Sequence, residues 1–149
     1  MSLENKINED IKAAMLAKER ERLDALRAVK SAILLLKTEK GGGEITEEIE
    51  LKTLQKLVKQ RKDAAELYKE QGRDDLYKEE TFQLEVISKY LPEQLSDEEI
   101  KEIVKQLMQE NQISEMKEMG KLMGLASKAL AGKAENKKIS EIVKEELGS

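Results

Sequence analysis

A single proline, Pro92, stands in a chain of 149 residues whose apolar side chains otherwise recur at helical spacing. Proline inside a helix removes a backbone hydrogen bond and clashes with the preceding turn, and it also pushes the residue before it out of helical geometry. The segment YLPEQLSDEEI, residues 90 to 100, is therefore the expected break between two helical regions. Directly after it, Ser96 and Glu99 have the spacing of a capping box, which marks the start of a new helix.

Upstream of the proline the spacing predicts four helices. The first covers residues 2 to 18, with Leu3, Ile7, Ile11, Ala14 and Met15 on one stripe, and it kinks or ends at residues 19 to 21. The second carries Leu23, Leu26, Val29, Ile33 and Leu36 and stops at the triple glycine of residues 41 to 43, a flexible corner. Thr46 suits the N-cap of a third helix running to Gln71, with Gly72 in the C′ position. A fourth starts at Asp74 or Asp75 and ends near Tyr90.

Downstream, three shorter helices are expected. Ile100, Ile103, Val104, Leu107 and Met108 line one; Ser114 caps the next, which runs through MKEMGKLMGLASKAL to Gly132; and KKISEIVKEEL closes with Ile139, Ile142, Val143 and Leu147. The fold class is thus all-α: an N-terminal four-helix hairpin-like domain, residues 1–91, followed by a small three-helix bundle, residues 92–149. Composition agrees, because 39% charged and only 3% aromatic residues suit solvated helix faces and not a sheet. Met15, Met108, Met116, Met119 and Met123 read as gap-filling core residues.

Two absences remove many functions. With no cysteine and no histidine, the chain can form no disulfide, no cysteine nucleophile, no Cys/His zinc site and no Ser-His-Asp triad. No metal or cofactor is implied. Gly132-Lys133 is followed by Ala134, and Gly120-Lys121 by Leu122, so neither completes a phosphate-binding loop. The opening residues lack an apolar core flanked by bases, and no run of about 18 apolar residues occurs, so a cytoplasmic location without a membrane partner is expected.

Three features could carry function. Arg61 falls on the stripe of Leu54, Val58, Ala65 and Tyr68, and Glu80 lies between Leu76 and Leu84 on the next helix. Antiparallel packing about Gly72 would set the two charges at similar depth, so they either pair or reach water along their stems. Gly120 and Gly124, one turn apart inside a helix, each cost about 1 kcal/mol relative to alanine. Either another helix packs closely there or a ligand does. Around them, residues 117 to 138 hold six lysines (117, 121, 128, 133, 137 and 138) against two glutamates, on a chain whose net charge is −4. Lys117, Lys121, Gly124 and Lys128 share a face, which is either an ordinary solvated surface or an approach for phosphates.

Together, KQRKDAAELYKEQGRDDLYKEE, YLPEQLSDEEI and MGKLMGLASKALAGKAENKKISEIV resemble the YqeY family over nearly the whole chain. The resemblance implies an N-terminal helical domain of its own type. It also implies a C-terminal domain similar to the tail of the B subunit of the tRNA-dependent amidotransferase, a helical module that contacts tRNA. What matches is that appendage, in Met119, Gly120, Met123, Gly124, Leu130, Gly132 and the closing helix at residues 139–143; the catalytic cradle that precedes it in the enzyme has no counterpart here. The expected function is a non-catalytic tRNA-binding or tRNA-metabolism accessory protein, with Lys117, Lys121, Gly124, Lys128, Lys133, Lys137 and Lys138 near the RNA. A second reading is a helical adaptor for an amidotransferase or synthetase subunit.

Overall fold

A computed structural model describes residues 2–39 and 45–148. Those residues form seven α-helices and one 3-10 turn, with no strand among them. In order they are α1 (Leu3–Leu16), α2 (Arg20–Glu39), α3 (Glu47–Glu70), α4 (Asp74–Ser88), α5 (Asp97–Glu110), the 3-10 turn (Met116–Glu118), α6 (Met119–Ala129) and α7 (Asn136–Gly148). The triple glycine at 41 to 43 lies outside the described residues. No described helix is long and apolar enough to cross a membrane. The chain divides into two compact units, Met1–Leu91 and Pro92–Ser149.

Local chemistry sets several helix ends. Ser2, Thr46 and Ser96 each stand before a helix and accept an N–H of its first turn, from Asn5, Ile49 and Glu99. At Ser96 the exchange is reciprocal, since the Glu99 carboxylate accepts the Ser96 N–H at 3.2 Å. Three helices end on a residue of positive φ: Lys18 at 58°, Gly72 at 70° and Gln112 at 54°. In each case the next N–H reaches back to an orphan carbonyl, Glu19 to Ala14 at 3.0 Å, Arg73 to Tyr68 at 2.8 Å and Ile113 to Met108 at 2.8 Å. This is the Schellman pattern, which glycine adopts without strain and lysine or glutamine does not.

Two sequence expectations need correction. Ser114 caps nothing; the Glu118 carboxylate instead accepts the N–H groups of Ser114 and Glu115, and the chain makes a 3-10 turn before α6 begins. Met15 is not core, being 55% exposed, and Met116 is 49% exposed. Position 15 is adjacent to the buried Ala14 in the last turn of α1, but it borders an open groove with Lys18, Leu23 and Arg27.

Each unit has its own core. In the first, Ile7, Leu26, Val29, Ile33, Leu54 and Ile87 are the large buried members, α3 and α4 pack most extensively, and α2 lies against both α1 and α4. In the second, Ile100, Val104, Leu122, Leu130, Ile139 and Val143 are fully buried between α5, α6 and α7. The segment after Pro92 is tied to the α6–α7 connection: Leu95 N–H donates to Lys133 O at 3.0 Å, and the Gln94 amide donates to Gly132 O at 2.7 Å. Gly132, buried with a φ of 76°, makes that tie possible.

Backbone strain at the non-glycine corners is testable. Gln112→Gly is expected to raise stability by about 0.5 kcal/mol, relief of left-handed strain outweighing glycine's extra chain entropy. Gly132→Ala is expected to lower it by at least about 1 kcal/mol. Urea unfolding of both variants measures the pair, and a stable Gly132→Ala protein would contradict the assigned backbone.

Candidate nucleic-acid interface

Helix α6 buries Leu122 and Ala126, and Leu130 follows at its C-cap, also buried. At 100° per residue, the side opposite those three carries Gly120, Lys121, Gly124 and Lys128, all exposed. Lys117, in the preceding 3-10 turn, is exposed as well. A Cβ placed on Gly120 or Gly124 would meet nothing within 4 Å. Close packing by a neighbouring helix of the same unit is therefore not what the glycines provide. They leave bare backbone between lysines, facing open space.

Charge on this face is only partly compensated. Lys117 lies 3.0 Å from Glu115, a pair whose side chains are 79% and 60% exposed and which contributes little in water. Hydrogen bonds from the Ser114 and Glu115 amides, assisted by the charges of Lys121 and Lys117, hold the Glu118 carboxyl below its usual range. Glu118 therefore stays ionised and trims the local field. Lys121, Lys128, Lys133 and Lys137 have no ion pair among the described residues.

The remaining lysines are arranged differently. Lys133 follows Gly132 in the α6–α7 connection, and Lys137 and Lys138 stand in the first turn of α7. A cation at that end of a helix opposes the dipole by roughly 0.3 to 1 kcal/mol. Lys138 offsets part of this by turning to Asp97 on α5, at 3.3 Å. It is the one lysine of the seven-residue candidate set that reaches across to another helix of its unit.

In the N-terminal unit, Arg61 and Glu80 face each other at 3.8 Å with side chains 21% and 25% exposed. The shorter bond from Arg61 goes elsewhere, its Nε donating to the Gln83 side-chain oxygen at 2.8 Å. Gln83 escaped the sequence reading, although it lies one turn beyond Glu80 on the same side of α4. At the other end of that unit, the Tyr90 hydroxyl donates to the Asp10 carboxylate, and the Lys6 ammonium sits 5.3 Å from the centre of the Tyr90 ring. Burial first, then the Asp10 hydrogen bond, raises the Tyr90 phenol above its ordinary value of 10.0, keeping it a donor. No local signal connects residues 80 positions apart. No three carboxylates among the described residues converge as a metal site would need.

Residues 4–147 match the family model described as Yqey-like protein. The chain belongs to that family. A similar protein is "Altered inheritance of mitochondria protein 41, mitochondrial" of Clavispora lusitaniae (strain ATCC 42720), 44% identical over 96 residues. The match covers 62% of this chain and 55% of that protein, so this Yqey-like chain spans about half the length of the relative.

Two outcomes follow for this family member. Arg61→Met is expected to cost about 0.5 to 1 kcal/mol, and a double variant with Gln83→Met less than the two single costs together, because an unmet buried partner is the expensive state. Additive losses in urea unfolding would show the two side chains to be independent. Burial, with the charges of Glu47 and Glu4, raises the Glu50 carboxyl above 4.5. A raised acid favours the fold below its unfolded pKa and loses that contribution as pH climbs through the folded value. Glu50→Gln should thus stabilise the protein by a few tenths of a kcal/mol at pH 7, with the gain disappearing near pH 4. Unfolding curves at the two pH values decide it.

Proposed function

We propose that this protein is a non-catalytic tRNA-binding or tRNA-metabolism accessory factor that meets folded RNA with the outward face of α6. The observation that carries the reading is the open backbone at Gly120 and Gly124 between exposed Lys117, Lys121 and Lys128. A phosphate backbone needs cations and room to come close, and this face offers both. Lys133, Lys137 and Lys138 extend the field along the same unit. With aromatics at only 3% of the chain, stacking on unpaired bases has little surface to use, so the shape and phosphates of folded RNA are what this face recognises. In this reading residues 92–149 are a three-helix module like the amidotransferase tail, appended to a four-helix hairpin-like domain, residues 1–91. It works in the cytosol as a binding appendage without its own chemistry.

A second reading has its own support in the N-terminal unit. Between α2 and α3 a cavity of about 260 Å³ has Ala32, Leu35, Leu36 and Leu57 on its apolar side and Glu39, Thr53, Lys56 and Gln60 around them, and Leu34 and Leu35 are 47% and 59% exposed. An apolar strip bordered by polar side chains is the kind of surface that accepts an amphipathic helix, which supports an adaptor for an amidotransferase or synthetase subunit.

A salt series of tRNA binding separates the two. Affinity of the intact chain should fall steeply with salt, and the variant Lys121→Glu, Lys128→Glu, Lys133→Glu should lose at least about tenfold at low salt. Absence of binding at low salt, or unchanged binding by the variant, would sink the RNA reading and leave the adaptor ahead.

A further inference from the structure

A cavity of about 490 Å³ in the N-terminal unit has no part in the RNA reading. It opens between α1 (Lys6, Asp10), the start of α2 with its preceding residue (Arg22, Glu19), and the end of α4 with the residues after it (Phe82, Glu85, Val86, Lys89, Tyr90). Its volume lies within the range of small-molecule sites, roughly 300 to 1,000 Å³. The floor is apolar, formed by the buried Val86 and the half-buried rings of Phe82 and Tyr90.

The walls hold three cations and three carboxylates. Several are fixed by one another: Tyr90 donates to Asp10, Lys6 lies over the Tyr90 ring, and Arg22 bonds Glu19 at 3.4 Å. Glu85 and Lys89, by contrast, have no ion pair among the described residues, although they are one turn apart. Side chains held before a ligand arrives lose less freedom when it binds, and two uncommitted charges of opposite sign remain to meet it.

We propose that this cavity binds a small zwitterion with an apolar body, of the α-amino-acid class, its carboxylate toward Lys89 and Lys6 and its ammonium toward Glu85. Charge balance selects the class. A nucleotide or other polyanion would face three carboxylates, a polyamine would face three cations, and a neutral apolar molecule would strip water from six charges without return. A molecule carrying one charge of each sign over an apolar group matches both walls and floor. The site lies wholly in residues 6 to 90, so it stands or falls independently of RNA binding by α6.

Calorimetric titration of the intact chain with L-phenylalanine and L-leucine, beside 3-phenylpropionate and phenethylamine, tests this. At least one amino acid should bind saturably in the millimolar range or tighter, with each single-charge analogue at least about tenfold weaker. Lys89→Glu, a change at an exposed position, should weaken the amino acid by a similar factor while leaving the helical content and tRNA binding unchanged. No saturable binding of either amino acid, equal affinity for 3-phenylpropionate, or undiminished binding by Lys89→Glu would each overturn the proposal.

Discussion

Helix α6 can bury only one side, and the side it buries decides everything on the other. Leu122, Ala126 and Leu130 are fully enclosed by α5, α7 and the residues joining them. Burying the two leucines is worth roughly 1.5 to 3 kcal/mol each, far more than any surface pair on α6 supplies. Once they are fixed, helical geometry turns Lys121, Gly124 and Lys128 outward with no further choice. The two glycines then expose backbone at a cost of about 1 kcal/mol each, an expense the core interactions outweigh. That this face costs stability and fills no gap within its own unit is the observation behind the proposed RNA surface.

The N-terminal unit works by a different principle. Its helices meet through buried aliphatic residues, while several polar groups pair at the margins. Arg61 is held by Gln83 and approached by Glu80, Lys37 pairs with Glu4, and Tyr90 binds Asp10. Half-buried charges paired at the margin cost less desolvation than pairs at depth. They also leave structured polar crevices, one of which holds the proposed zwitterion site. Leu34 and Leu35 are among the apolar residues exposed in this unit, with Leu16 and Leu67, and Leu35 lines the cavity between α2 and α3.

How much could be read from residues alone follows from the range of each interaction. The all-helical class, the breaks at Gly72 and Pro92, and the caps at Thr46 and Ser96 depend on three or four neighbouring residues, so pattern sufficed. Ser114 was misread because the chain makes a 3-10 turn before α6, and only the built turn shows the Glu118 carboxylate taking the Ser114 and Glu115 amides. Met15 was misread because a stripe does not reveal where a helix outruns its neighbours. The lysines of residues 117 to 138 were visible as a cluster, yet their division into the α6 face, the α6–α7 connection and the Lys138 bridge to Asp97 depends on packing between helices. The contact between Asp10 and Tyr90 left no trace in sequence, since nothing in either neighbourhood requires the other.

The proposed reading has RNA meet this protein on the outward face of α6, with the lysines of residues 133 to 138 extending the contact. Amide chemical shifts of the isotope-labelled intact chain, followed during addition of deacylated tRNA at low salt, test it most directly. The account predicts that Lys117, Gly120, Lys121, Gly124 and Lys128 move or broaden first, with α2 and α3 unaffected. Perturbation centred on Leu34, Leu35 and Leu57, or no perturbation anywhere, would contradict it.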